Sequence, residues 1–163
     1  MNKQLGQVGD FHAKFGINSM EAASPSLMVN DEMTAFRLRR LLAEAEEIVI
    51  ANGYTVVIGE GGELDVEKDP LAEPDLEAIL DGYVDLLYIM LGSVRLHGFH
   101  RGAAKFAPYQ DVSRFEHAFN RVHYKNLLKE AVRREEQSKF GSLYDIVKPE
   151  GWEPAVLKDI IEP

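Results

Sequence analysis

The sequence predicts an all-α fold, because apolar residues recur every three to four positions through most of its 163 residues. Two of the predicted helices each carry a pair of carboxylates at helical spacing: Glu44 with Glu47, and Asp81 with Asp85. At about 100° per residue, either spacing directs both side chains toward one side of a helix. If these two helices face each other, the four carboxylates converge.

The first two predicted helices are amphipathic. A helix over about Gln4 to Phe15 ends at Gly16, and its stripe consists of Leu5, Val8, Phe11, His12 and Phe15. A polar linker follows it. The second helix, over about Asp31 to Ala51, is followed by Asn52 and Gly53, which together form a stop signal.

The third predicted helix is the most apolar part of the chain. Before it, the segment "YTVVIGEGGELDV" is compatible with either a β-hairpin or an irregular loop. The helix itself spans about Pro74 to His97 and is apolar on almost all sides. Such a helix must be covered all round, and a chain of this length has few helices to cover it. We therefore expect a dimer or tetramer.

The last part of the chain predicts a fourth helix over about Asp111 to Glu136, whose final residues form a charged, solvated extension. Two proline stops and a short terminal helix follow. The expected organisation is a single domain over residues 1–163, with its core at about 31–136.

Composition excludes several classes of function. The chain has 18 Lys and Arg against 27 Asp and Glu, and its formal net charge of −9 disfavours nucleic-acid and anionic-membrane partners. The absence of cysteine excludes disulfides and thiolate metal sites. No signal-peptide pattern or membrane-spanning apolar run is evident, so a soluble, cytoplasmic protein is expected.

The paired carboxylates point to a metal site. Four carboxylates in a partly dry cleft repel one another unless cations bind, and oxygen-only ligands suit Mg²⁺ or Mn²⁺. A plainer interpretation of Glu44 and Glu47 is the wet face of a helix, and Asp81 is compatible with a cap or salt bridge. Asp85 is harder to explain in that way, because it interrupts an apolar surface where an unpaired carboxylate is costly.

Three sequence blocks, in order, carry a family resemblance: "DGYVDLLYIMLGSVRLHGF", "FEHAFNRVHYKNLLK" and "KPEGWEPAVL". They resemble the MazG-like all-α nucleoside triphosphate pyrophosphohydrolases, in particular the small single-domain bacterial and phage type, over roughly residues 36 to 157. The resemblance implies a four-helix-bundle core with an N-terminal helix and a C-terminal tail, assembled as a homodimer or homotetramer. It also implies hydrolysis of a (d)NTP to (d)NMP and pyrophosphate, with Mg²⁺ or its substitute Mn²⁺, in a bacterial cell or phage-infected host.

The resemblance implies metal ligands on two helices. Asp85, directly before "LLY", matches the family's acid position. The acid that the family has three residues earlier is replaced by Gly82, and the neighbouring Asp81 keeps an i,i+4 relation to Asp85. Asp81 and Asp85 are therefore assigned as ligands, with Asp85 also catalytic.

On the first acid-bearing helix, the segment "EAEE" offers three glutamates where the family has an ExxE pair. Glu44 and Glu47 keep that spacing, whereas Glu46 lies about 200° around the helix from Glu44 and is expected to face solvent or a neighbouring subunit. Which of the three bind metal stays open. Glu47 is the residue expected to position or deprotonate the attacking water.

The resemblance also implies substrate contacts. Aromatic rings and a histidine near the N-terminus would meet the base, an amide would orient the substrate, and two lysines with a tryptophan would meet the phosphates or cover the nucleotide. The candidates are Phe11, His12, Phe15, Asn126, Lys129, Lys148 and Trp152. Plainer roles are core packing for Phe11 and Phe15 and attachment of the C-terminal tail for Trp152.

Two alternatives to (d)NTP hydrolysis remain open at this stage. One is a pyrophosphohydrolase that acts on a phosphoribosyl-nucleotide. The other is a non-catalytic, nucleotide-binding helical oligomer that lost activity together with the acid at Gly82. The sequence does not identify the preferred base.

Overall fold

A computed structural model describes residues 2–102 and 112–162. The chain divides into two compact units, Met1–Gly98 and Phe99–Pro163. The expectation of a mainly helical protein is confirmed, with four short strands among the residues described. In the same part of the chain, no helix is both long and apolar enough to cross a membrane.

The first unit contains three long helices and a β-hairpin. Its elements are α1 (Asn2–Lys14), a 3₁₀ turn (Ile17–Met20), α2 (Asp31–Ala51), β1 (Tyr54–Ile58), β2 (Leu64–Lys68) and α3 (Leu76–Leu96). The three helices predicted here are confirmed to within two residues at each end. The glycine-rich segment forms the hairpin rather than an irregular loop, with β1 and β2 antiparallel and Val56 opposite Val66.

Local signals explain where these helices begin. The side chain of Asn30 accepts a hydrogen bond from the backbone N–H of Met33 at 2.8 Å, which starts α2. Asp75 does the same for α3, because its carboxylate accepts from the N–H groups of Glu77 and Ala78 at 2.9 and 3.1 Å.

Helices α2 and α3 run antiparallel and touch along their length. At one end, the N–H of Asp75 donates to the carbonyl of Ala51 at 2.9 Å. At the other, Arg37 donates to the carbonyl of Ile89 and, at 3.2 Å, to Oγ of Ser93.

Between these two ends the helices cross closely. A Cβ built on Gly82 would lie 2.8 Å from Cγ1 of Ile48 and 3.7 Å from its backbone nitrogen. Both residues are buried. Gly82 therefore lets α3 approach α2 at a distance that a side chain at this position would prevent.

Helix α1 packs against the C-terminal half of α3, and a buried charge network joins them. Arg95 on α3 donates to both carboxylate oxygens of Glu21 at 2.7 and 3.0 Å, and to the carbonyl of Leu5 at 3.0 Å. Nδ1 of His12 donates to the same carboxylate at 2.7 Å. Three segments of the unit are therefore tied to one buried carboxylate.

The second unit is smaller and more irregular. It contains α4 (Arg114–Asn126), β3 (Glu130–Ala131), a 3₁₀ turn (Glu135–Gln137), β4 (Ile146–Val147) and α5 (Lys158–Ile161). Arg121 on α4 forms a bidentate ion pair with Asp159 on α5, at 2.6 and 2.8 Å. The short terminal helix is confirmed by α5.

The prediction that the fourth helix continues to Glu136 is wrong. The helix ends at Asn126, where the N–H of Lys129 donates to the carbonyl of Asn126 at 3.1 Å in a tight turn. Glu130 then pairs with Val147 across the β3–β4 ladder, which takes this segment out of the helix. The predicted start of the helix, Asp111, lies outside the described residues.

The Ile48–Gly82 contact generates a stability prediction. Gly82→Ala should lower the free energy of unfolding by about 1 kcal/mol or more, because crowding against Ile48 outweighs the better helix propensity of alanine. Gly6→Ala in α1 is the matched control, since a Cβ there meets nothing within 4 Å, and it should stabilise. Thermal or denaturant unfolding checks both. An unchanged or more stable Gly82→Ala protein would contradict the close crossing.

Candidate functional site

The α2–α3 crossing determines where the four predicted metal ligands lie. Measured around α2 from Ile48, Glu44 is about 40° away and Glu47 about 100° away in the same rotational sense. Around α3 from Gly82, Asp85 is about 60° away and Asp81 about 100° away. Both lie in the same rotational sense as Glu44 and Glu47 when each helix is viewed along its own axis from N- to C-terminus. Because the helices are antiparallel, these rotations lead to the same side of the line of contact between α2 and α3, here called the seam.

The four carboxylates are also close along the helix axes. With Ile48 and Gly82 at one level, a rise of about 1.5 Å per residue places all four Cα atoms within about 8 Å along the axis. We call these residues the acidic side of the seam: Glu44, Glu47, Asp81 and Asp85. Glu46 lies about 200° around α2 from Ile48 and is exposed, so it belongs to another face.

The side chains on the acidic side differ in their surroundings. Glu44 is buried, with 2 % of its surface exposed, and its carboxylate accepts from Arg40. Glu47, Asp81 and Asp85 are exposed. Within 2–102 and 112–162, no three acidic or histidine side chains are grouped closely enough to hold a metal ion. The predicted convergence therefore applies to the helix positions and not to the side chains as they stand.

The residues present nevertheless fit an oxygen-coordinated divalent cation in two respects. All four donors are carboxylates, the ligands that suit Mg²⁺ and Mn²⁺. Their positions on two packed helices bring them to one side of the seam, and the three exposed carboxylates are accessible to solvent ions. In the structure, the Glu44 carboxylate forms an ion pair with the guanidinium of Arg40.

The missing acid at position 82 has a packing explanation. A side chain on Gly82 would meet Ile48, so a carboxylate could not be placed here without separating α2 from α3. Asp81 is exposed beside it. It lines a shallow depression with Asp75, Glu77, Ala78, Leu80 and Val84.

An exposed aromatic group adjoins the acidic side of the seam. The rings of Phe11 and Phe15 are 4.6 Å apart, and Phe11 meets Tyr88 edge-on at 5.6 Å. Phe11 and Phe15 expose 41 % and 58 % of their surface, so core packing does not account for them. Tyr88 lies three residues after Asp85 and hence on the same side of α3.

Tyr88 and Arg40 carry little functional signal in the sequence. Tyr88 was available from its i,i+3 relation to Asp85, but in a largely apolar helix it resembles a core residue. Arg40 lies four residues before Glu44, an ordinary spacing for a surface ion pair. Only the burial of Glu44 distinguishes that pair from a routine one.

The surroundings of His12 indicate a structural role. Its side chain is 2 % exposed, and its Nδ1 is engaged by Glu21. Burial lowers the pKa of His12, against the opposing effects of the hydrogen bond and charge of Glu21. The predicted contact with a base is therefore not supported by the position of this side chain.

The second unit brings together three of its four candidates. Nε1 of Trp152 donates to the carbonyl of Lys125 at 3.0 Å. The ammonium groups of Lys148 and Lys129 lie 4.9 and 5.5 Å from the indole ring, within cation–π range. Trp152 thus anchors the tail to α4 and also carries two cations.

Asn126 is exposed and ends α4. Lys129 follows the end of α4, so it does not share a helical face with Asn126. The two residues are joined instead by the turn hydrogen bond from the N–H of Lys129 to the carbonyl of Asn126.

Comparison with known proteins does not assign the chain to a family. No protein-family model matches the chain, and no curated protein matches it. The residue positions described above and the resemblance of the three sequence blocks are therefore the basis for proposing a function.

The burial of His12 generates a pH prediction. Because the pKa of His12 is lowered in the fold, the unfolded chain binds more protons just below its ordinary pKa of 6.5. The free energy of unfolding should therefore fall as the pH drops below about 6.5, by at most about 1.4 kcal/mol per pH unit from this group, until the folded pKa is reached.

His12→Asn keeps a donor near the Nδ1 position without a titrating ring, so the pH dependence of unfolding between about pH 5.5 and 7 should be shallower. His123→Asn is the control, because His123 is exposed. Denaturant melts at several pH values provide the measurement. Equal slopes in His12→Asn and the wild type would show that His12 does not have this role.

Proposed function

We propose that this protein hydrolyses a (d)NTP to (d)NMP and pyrophosphate with the help of divalent cations. The observation that carries the proposal is the close antiparallel crossing of α2 and α3, which brings the helix positions of four acidic residues to one side of the seam. The exposed aromatic group beside them supports a nucleotide rather than an inorganic substrate.

The residues have separable roles in this proposal. Bound Mg²⁺ or Mn²⁺ would neutralise phosphate charge and lower the pKa of a water molecule. Glu44, Glu47, Asp81 and Asp85 would hold the cations. Glu47 is exposed beside the seam, which leaves its carboxylate able to accept a proton from the attacking water.

Base contact is assigned to the aromatic group. Phe11 and Phe15 present exposed ring surface, and Tyr88 supports Phe11 from the side. Base–aromatic stacking tolerates any base, because every base has a π face. The aromatic group would therefore contribute affinity for a nucleotide without selecting a particular base. His12 is left out of direct contact because it is buried.

The second unit offers a separate set of phosphate contacts. Lys129 and Lys148 place two ammonium groups over the Trp152 ring in a chain of net charge −9. Two local cations favour a polyanion that the overall charge would repel. We assign both lysines to phosphate, with Asn126 as a further polar contact.

A homodimer or homotetramer remains part of the proposal. The N-terminal half of α3 exposes large apolar side chains: Leu76, Leu80, Tyr83 and Val84, each more than half exposed. Contiguous apolar surface of this kind is typical of protein–protein contact.

A substrate panel tests the proposed function directly. Pyrophosphate release should be measured with Mg²⁺ for the common dNTPs, NTPs and a phosphoribosyl-nucleotide. Release from a free nucleotide triphosphate, with the monophosphate as the second product, supports the proposal. Turnover of the phosphoribosyl-nucleotide alone would replace it by that narrower activity. Nucleotide binding without turnover would identify a non-catalytic binding protein.

The metal dependence is a prediction of its own. Because the proposed ligands are all carboxylates, turnover should require Mg²⁺ or Mn²⁺ and should be lost in EDTA. Adding back Mn²⁺ should restore it. Metal analysis of the purified protein should find no stoichiometric zinc, and full turnover in EDTA would overturn the assignment.

Replacing Asp85 distinguishes a role in metal binding and catalysis from a role in stability. Asp85→Asn should lower kcat/KM at least about a hundredfold, equal to about 2.7 kcal/mol of transition-state stabilisation. The metal-free melting temperature should hold or rise, because Asp85 is exposed and like charges on this side are reduced. Glu46→Gln, the same loss of charge on another face of α2, should stay within a few fold of wild-type turnover. A destabilised yet active Asp85→Asn protein would contradict the assignment.

A further inference from the structure

The ion pair between Arg40 and Glu44 is unusual in the burial of its two partners. Both residues lie on α2, four positions apart, and Arg40 donates to a carboxylate oxygen of Glu44 through Nη2. The Glu44 side chain is 2 % exposed, whereas the Arg40 side chain is 45 % exposed. A buried anion is therefore matched by a cation at the surface.

The burial of Glu44 explains why it needs a partner. A carboxylate removed from water is strongly destabilising unless an opposite charge and hydrogen bonds compensate it. Arg37, the next arginine on this side of α2, is engaged by Ile89 and Ser93 of α3. Among described contacts, Arg40 is the cation that compensates Glu44.

The position of Arg40 matters as much as its charge. Counted around α2 from Ile48, Arg40 lies about 80° away in the same sense as Glu44 and Glu47, so it belongs to the acidic side of the seam. A guanidinium and a divalent cation attracted to the same buried carboxylate repel each other, so the pairing of Glu44 with Arg40 disfavours a cation at Glu44. The ion pair and metal binding therefore compete.

We propose that Arg40 is a displaceable counter-ion, which neutralises Glu44 in the metal-free protein and leaves it when a divalent cation binds. This inference rests on the proposed function, because it assumes that the acidic side of the seam takes the cation. Arg40 has no second described partner that would keep it in place. Once released, its planar guanidinium would be available for bidentate contact with a substrate phosphate.

Linkage gives the proposal a quantitative form. An interaction that stabilises only the metal-free state must weaken metal binding by the same factor. Removing Arg40 should therefore destabilise the metal-free protein and tighten metal binding, and the two effects should match. A purely structural arginine would destabilise both states equally and leave metal affinity unchanged.

The test compares Arg40→Gln with Arg39→Gln. Arg39 is exposed and lies about 180° around α2 from Ile48, so its loss changes the net charge equally without touching Glu44. Binding of Mn²⁺ to each purified protein is measured by electron paramagnetic resonance, and melting temperature is recorded without metal and at saturating Mn²⁺.

We expect Arg40→Gln to bind Mn²⁺ at least about fivefold more tightly than Arg39→Gln. Its melting temperature should be lowered without metal and close to wild type at saturating Mn²⁺. Equal Mn²⁺ affinities, weaker binding by Arg40→Gln, or a melting deficit that persists with Mn²⁺ would overturn the counter-ion role while leaving the proposed function intact. A wild-type protein that binds no Mn²⁺ would overturn both.

Discussion

The close contact between Ile48 and Gly82 is the constraint on which the candidate site depends. Because glycine has no side chain, α3 meets α2 directly at this point, and the antiparallel register follows from the contacts at both ends of the pair. That register brings Glu44 and Asp85 to nearly the same level. The same contact excludes an acid at position 82, so one packing feature both aligns the carboxylates and removes one that the resemblance would supply.

Among the described residues of the first unit, the side chains of Glu21 and Glu44 are both buried, and their partners differ in a way that suggests different roles. Glu21 is held by Arg95 and His12 from two other elements, and Arg95 is also fixed to the carbonyl of Leu5. Glu44 is compensated by an arginine on its own helix that is nearly half exposed. Breaking the first network would separate packed elements, whereas releasing the second requires only a side-chain rotation. Of these two carboxylates, Glu44 is therefore the one to which the proposed exchange with a cation applies.

Charge and apolar surface are distributed unevenly in a strongly acidic chain. Carboxylates dominate one side of the α2–α3 seam, aromatic rings adjoin them, and two lysines gather over Trp152 in the second unit. A cation and a polyanion with an aromatic part would each find complementary groups in this distribution. The exposed residues of α3 add an apolar surface, which the proposed homo-oligomer would cover.

The sequence by itself determined the helices of the first unit, because caps such as Asn30 and Asp75 and periodic apolar residues act within a few positions. It also identified the four carboxylates. It did not predict the end of α4, since the pairing of Glu130 with Val147 joins positions far apart in sequence. Which carboxylate is buried, and which arginine compensates it, was decided only by the tertiary structure, because burial depends on how closely α2 and α3 pack and no local pattern encodes that distance.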